Sequence, residues 1–536
     1  MVHLCTMRKL FSPVILIMIV FALINGSCNS NGKKKSGRKG DGLRGIFNQK
    51  RNLPFDSTLV LSFYLSYPEL IKYKNEVVDV YRQHDYTQIW HDEDGMVEFG
   101  YTLFNRVNNM EEEGVMVKFP YQEELGHIFN GSKKDKLPEV DTELMLTNLY
   151  LFYTEKVYEG IDTTTSKALG WHLPRNKVSY ATLIDSVMGE PEALHSDDSL
   201  LYSQFYKLRK VLKQYREIEK KGGWNTIDSI PSGKSLIPGD SGRVISQIRE
   251  RLFIAGDLKQ NNKSNVYDPE LAGAVKKYQQ HNGFNVTDKI LPEHVREMNI
   301  PVSDRIIKII VNMERCRWLP SQFEQAREYI MVNIPSFHLK FVGDGKTELE
   351  SPVVVGTKLT QTVIFSGKMS YIVFSPYWNL PDDIVENEVK PGIEKDKNYL
   401  EKHNMEWSGG QLRQKPGKDN SLGLVKFMFP NSNDIYLHDT PAKSLFARES
   451  RAFSHGCIRV AKPKELALSI MKEDPKWNME KIEAAMNAGK ESTYGLKAKI
   501  PVYIGYFTAL VDENGKINFY KDIYNRDGKL AKLLIE

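Results

Sequence analysis

Ile435-Tyr436-Leu437-His438-Asp439-Thr440-Pro441, followed shortly by Phe453-Ser454-His455-Gly456-Cys457-Ile458-Arg459-Val460, is the most informative stretch of the 536-residue chain. It sets one cysteine beside a histidine and a glycine, and ends an upstream apolar run on a second histidine. An unperturbed thiol, with a pKa of about 8.5, is only a few per cent ionised at pH 7, so Cys457 needs a base to act as a nucleophile. Either His438 or His455 is near enough in sequence to be considered. Gly456, lacking a Cβ, lets the backbone N–H groups of Gly456 and Cys457 approach a developing oxyanion. The same three residues His438, His455 and Cys457 also admit a zinc reading. His-x-Cys on a tight glycine loop is poor zinc spacing, however, and the chain has no HExxH.

Outward from this stretch the sequence is strand-like. Tyr329–Ile334, Phe337–Val342, Val353–Val355, Tyr371–Phe374, Val425–Phe429, Ile435–Leu437, Val502–Tyr506 and Ile517–Tyr520 alternate or run apolar, with Gly, Pro or Asn between them. They predict a β-rich sandwich or half-barrel carrying the cysteine on a loop, with one helix near 463–472. About fifty residues separate Phe374 from Val425, and a structureless connection of that length tends to be functional. This insertion, 376–423, holds Tyr377, Trp378, Trp407 and Arg413.

Upstream the pattern turns helical. Asp240 is the expected N-cap of a helix through Val244–Leu252, and Asp268-Pro269 supplies the cap and N1 proline of the next. A further helix, 303–318, is stopped by Pro320. Residues 53–235 are mainly helical and rich in aromatics, with His84, His91, His127, His172 and His195 scattered as surface or capping residues. Cys316 falls on the 303–318 helix and reads as a packed small hydrophobe.

The N-terminus carries Arg8-Lys9, an apolar run from Leu10 to Ile24, and Asn25-Gly26-Ser27-Cys28. The apolar run is too short for the ~20 residues of a spanning helix and has the length of a signal-peptide core. Cys28 reads as a lipidation site. A plain cleaved signal and an uncleaved anchor remain open, and all three export the protein. Residues 28–52 are rich in Gly, Ser and Lys and form a linker. With Cys28 acylated and Cys5 removed, only Cys316 and Cys457 remain, which leaves a free thiol and no disulfide framework. The net charge of +5 falls to +3 without Arg8 and Lys9, too little to argue for nucleic acid.

The His438…Ser454-His455-Gly456-Cys457-x-Arg459 spacing closely resembles the signature of the L,D-transpeptidases, the YkuD-type catalytic domain. Pro238-Gly-Asp-Ser-Gly-Arg243 with the phrases that follow to Gly283 resembles the three-helix peptidoglycan-binding domain. The remainder resembles the large multidomain Gram-negative members with a helical scaffold and a capping lid. These resemblances imply an α+β multidomain chain: signal peptide 1–27, linker 28–52, helical scaffold 53–235, peptidoglycan-binding domain 236–302, connecting helix 303–327, and a β-rich catalytic domain 328–536 with a lid insertion. They imply a periplasmic or cell-envelope enzyme that acts on peptidoglycan stem peptides and glycan, needs no cofactor or metal, and holds the membrane through its lipid. In the implied reaction Cys457 attacks a tetrapeptide stem, releases the terminal D-alanine, and passes the acyl group from the thioester to another stem as a 3→3 cross-link. Water or a D-amino acid as acceptor gives carboxypeptidase or exchange activity, and a wall-anchoring lipoprotein is the non-enzymatic alternative. By the same resemblance His438 is the base and Asp439 helps to orient it. Ser454, His455 and Arg459 shape the site. Tyr377, Trp378, Trp407 and Arg413 line the stem peptide, and the thiol is a carbapenem target.

Overall fold

A computed structural model describes residues 53–130, 137–175, 179–189 and 200–535. The signal peptide, the linker, Cys28 and His195 lie outside the described residues. No helix among the described residues is long and apolar enough to cross a membrane.

The helical part is built round Glu139–Thr154, whose residues from Thr142 onward are all buried. A helix apolar on every face has to sit at the centre of a bundle, and Lys74–Gln83 and Glu98–Asn108 pack against this one. Its single buried carboxylate, Glu143, is satisfied rather than catalytic. It accepts from the backbone of Ile89 and Trp90, from Tyr81 at 3.0 Å and from His91 at 2.7 Å.

Helix Ser203–Lys220 lies along Val302–Arg317, which is buried nearly all round because it is a wall shared by the scaffold and the sheet. One continuous hydrophobic core runs from Phe55 through this helix to Leu530. Cys316 lies within it, fully buried, and burial pushes its thiol well up.

Three helices, Arg243–Ile254, Pro269–His281 and Pro292–Met298, enclose a core of their own around Ile248, Leu252, Leu271 and Met298. Asp268 caps the second of them, accepting from Leu271 N–H at 2.9 Å. Asp240 does not cap the first. That helix starts at Arg243 behind Gly242, and the Asp240 carboxylate is used in its own turn, accepting from Ile237 N–H at 2.8 Å.

The C-terminal part is one nine-stranded sheet: β1 Glu328–Asn333, β2 His338–Gly343, β3 Lys346–Gly356, β4 Phe365–Phe374, β5 Val425–Met428, β6 Leu437–His438, β7 Ala452–Ser454, β8 Ile458–Val460 and β9 Ser492–Gly505. Its order is β7-β3-β8-β6-β5-β4-β9-β1-β2, and β2 pairs with β3 as well, so the sheet returns on itself. Strand β3 makes this possible by changing partner. It faces β2 as far as Pro352, then β8 from Val353. Helices Pro463–Met471, Met479–Met486 and Asp527–Ile535 complete the part; the last two were not anticipated.

The insertion is folded. Trp378–Asn379, Met405–Ser408 and Gln411–Gln414 form a three-stranded sheet, and Leu380, Ile384, Val385, Val389 and Leu412 form a small core beneath it.

Candidate active site

Strand register brings the two halves of the motif together. β6 pairs antiparallel with β5, Lys426 opposite His438, and parallel with β8, Leu437 opposite Ile458. Cys457 immediately precedes β8, and Ile458 N–H donates to Tyr436 O at 3.2 Å. The cysteine is thereby fixed at the level of Tyr436 and His438, whose rings lie 5.7 Å apart edge to face.

The loop before the cysteine is held from several sides. Ser454 Oγ donates to Cys457 O at 2.5 Å and accepts from Gly456 N–H at 3.2 Å. Thr362 Oγ1 donates to Gly456 O and accepts from Gly356 N–H, while Thr360 Oγ1 donates to Ser454 O. Gly456 has φ +117°, a conformation that favours glycine. Gly456 N–H is committed to Ser454, whereas Cys457 N–H, on the nucleophile itself, makes no hydrogen bond among the described residues.

The thiol points at the Asp434 carbonyl, 3.6 Å away. Burial pushes its pKa up, and the Tyr436 N–H and phenol hold it down against that. His438 is 4% exposed, and its Nδ1 has no hydrogen-bond partner. Burial first, and Arg459 second, lower its pKa to about 4, against the backbone carbonyls of Asp439 and Leu422. Both shifts favour the uncharged forms, a thiol beside a neutral imidazole, over a thiolate–imidazolium pair.

Residues 327–481 match the L,D-transpeptidase catalytic domain, and residues 75–212 match a scaffold domain. The chain carries an L,D-transpeptidase catalytic domain. It is 33% identical over 295 residues to a Haemophilus influenzae protein whose name assigns it to the L,D-transpeptidases, an alignment that covers 51% of this chain and 57% of that protein. Solved L,D-transpeptidases from Stackebrandtia nassauensis (15% identity, 52% of this chain, 97% of that one, TM-score 0.21) and Mycobacterium smegmatis (12%, 34%, 59%, TM-score 0.20) are also similar.

In the transpeptidase domain the other motif residues take distinct places. Asp439 accepts from Leu424 N–H at 2.9 Å and pairs with Lys443. It is packed so closely that a Cβ at Gly423, φ +63°, would come within 2.5 Å of it. Arg459 is largely buried, its Nε unpartnered and its pKa lowered by burial. His455 is half exposed and turns to the lid, its Nε2 3.3 Å from Glu388 Oε1. Among the described residues no three His, Cys, Asp or Glu side chains gather as a metal set, so the zinc reading does not assemble.

Of the lid residues, Arg413 is bound to Glu406 at 2.6 and 2.9 Å and lies 4.1 Å over the Tyr377 ring. Trp378 packs on the lid core, and Trp407 is exposed. Sequence reasoning missed Tyr436, Thr360, Thr362 and Glu388. Tyr436 was findable, standing two before His438 in an alternating strand. The threonines and Glu388 come from distant segments, and no local pattern marks them.

Proposed function

We propose that the protein is an exported peptidoglycan L,D-transpeptidase that makes 3→3 cross-links through a Cys457 thioester. The observation that carries this reading is the register that sets Cys457 beside Tyr436 and His438 inside the matched catalytic segment. Cys457 Sγ attacks the carbonyl at the L-centre of the diamino acid, and its proton passes to His438. The oxyanion is received by Cys457 N–H, and such donors contribute about 10²–10³ in rate. Collapse breaks the bond to D-alanine, whose amine takes the proton from His438. A side-chain amine of a second stem then attacks the thioester and loses its proton to His438; the C–S bond breaks, and the departing sulfur takes that proton back as the thiol. The developing thiolate raises the basicity of the buried imidazole, which supports its role although its resting pKa is low. In this reading the 236–302 unit holds wall polymer, the lid excludes water, and acylated Cys28 tethers the enzyme to the membrane.

The test is mass spectrometry of muropeptides after incubation of the full chain, and of Cys457→Ala, with tetrapeptide-rich wall. The wild type should yield 3→3 dimers and free D-alanine, and the variant neither. Dimers from Cys457→Ala would refute covalent catalysis at this residue, and tripeptides alone from the wild type would replace cross-linking by hydrolysis.

A further inference from the structure

Away from the cysteine, helices Ser203–Lys220, Arg243–Ile254, Pro269–His281 and Val302–Arg317 meet the hairpin Ala509–Val511/Ile517–Phe519 around a cavity of about 30 Å³. Its walls include Arg251, Tyr278 and Arg305, which are 4%, 3% and 2% exposed. Arg251 Nη1, Arg305 Nε and Nη1, the Tyr278 hydroxyl and Asn282 Oδ1 are all buried without a hydrogen-bond partner. Leaving such a group buried and unpaired is costly, most of all when it is charged.

The surplus is cationic. Arg305 Nη2 is bound to Glu297, through its carbonyl at 2.9 Å and its carboxylate at 2.8 Å, while the rest of that guanidinium faces Phe519 at 4.4 Å. Arg251 has no carboxylate partner among the described residues; its Nε donates to Met298 O at 3.1 Å, and its face lies 3.5 Å over Trp224. Burial, with Arg305 adding to it, pulls the Arg251 guanidinium below the usual arginine range. Lys516 adds a third positive charge at the wall, donating to Gly256 O at 2.5 Å. Asp257, the carboxylate in the lining, is already engaged by His281 at 3.1 Å. A water molecule fits the space and could accept from these donors, but it cannot neutralise the Arg251 guanidinium, the one of the two that no carboxylate pairs with among the described residues. A planar or tetrahedral oxyanion can do both, because arginine donors match its geometry.

We propose that this cavity is a binding site for a small oxyanion, a carboxylate or a phosphate group. The site lies apart from the Cys457 loop and is made jointly by the 236–302 unit, the scaffold and the transpeptidase domain. The test is the melting temperature and titration calorimetry of the full chain with inorganic phosphate, with acetate and with chloride at matched ionic strength. Phosphate or acetate should give a saturable rise in Tm and a binding heat that chloride does not. Arg251→Gln should weaken that affinity at least tenfold. Tyr278→Phe, which removes one hydroxyl from an otherwise unchanged core, should weaken it several-fold and serves if Arg251→Gln does not fold. A third arm compares a stem tetrapeptide bearing a free terminal carboxylate with its amide. Preference for the free acid assigns the site to wall peptide, and response to phosphate alone assigns it to a phosphate group. The absence of any saturable response beyond chloride, or an unchanged affinity in both variants, overturns the proposal.

Discussion

At Cys457 two opposing effects meet: burial raises the thiol pKa, and the Tyr436 N–H and phenol lower it. The neighbouring imidazole titrates near 4, so neither partner is charged at pH 7. Alkylation of Cys457 by iodoacetamide is therefore expected to climb through pH 9 without a plateau at neutrality. Tyr436→Phe removes a group that favours the thiolate, and should slow alkylation a few-fold at every pH below that rise while leaving the melting temperature within a few degrees. His438→Ala should alter the profile little, because a neutral imidazole does not ionise the resting thiol, yet it should abolish turnover, since the leaving amine then lacks its acid. A plateau of reactivity below pH 7 that vanishes in His438→Ala would mean a preformed ion pair and refute the neutral resting state. The resemblance singled out His438 as the base; spacing alone marked Cys457 and Gly456 as candidate chemistry with either His438 or His455 beside them. It could not reveal their charge state, which is set by burial and by Arg459 and Tyr436 packed round them.

Among the elements, the strands were legible because alternation survives in short segments, whereas the insertion was mistaken for a loop. Its apolar residues, Leu380, Ile384, Val389 and Leu412, are too thinly spread for any periodicity, and they form a core only when three short strands fold over short helical turns. This lid is nevertheless separable. Phe374 and Val425 on either side of it are directly paired across β4 and β5, so the strands remain in register without it. Replacing residues 378–418 by a short Gly/Ser linker should leave the melting temperature nearly unchanged and the thiol alkylatable, while cross-linking of wall falls at least tenfold. The His455–Glu388 pair, half exposed at both ends, is worth at most about 1 kcal/mol. Its loss does not by itself explain such a fall, which would point to the lid as a wall of the peptide site. Equal loss of alkylation and cross-linking, with a collapsed melting transition, would show instead that the lid supports the sheet.

For the molecule as a whole, the core that unites the helical part, the 302–317 helix and the sheet was not readable from composition or capping. Its contacts join residues hundreds of positions apart, as Gln204 does in exchanging hydrogen bonds with the Val511 backbone. One consequence is a dependence of stability on mild acid. His438 and His338 titrate near 4 in the folded chain, and His294 is also lowered, in each case chiefly by burial. An unfolded histidine takes its proton at about 6.5. Between pH 6.5 and 4 the unfolded chain therefore binds more protons than the folded one, and stability falls as the pH falls. For the buried His438 the displacement to about 4 corresponds to about 3 kcal/mol, present in full above pH 6.5 and lost by pH 4. Lowered carboxylates such as Glu155 and Asp268 act in the same direction, but only as the pH approaches their own unfolded values near 4, so the two windows separate. Urea unfolding of the full chain at pH 7, 6 and 5 should show a progressive drop in midpoint, and His438→Gln should flatten that slope whatever its stability at pH 7. A midpoint constant from pH 7 to 5, or an unaltered slope in the variant, would mean that His438 takes up its proton in the folded protein, and that the site is more open to water than its burial implies.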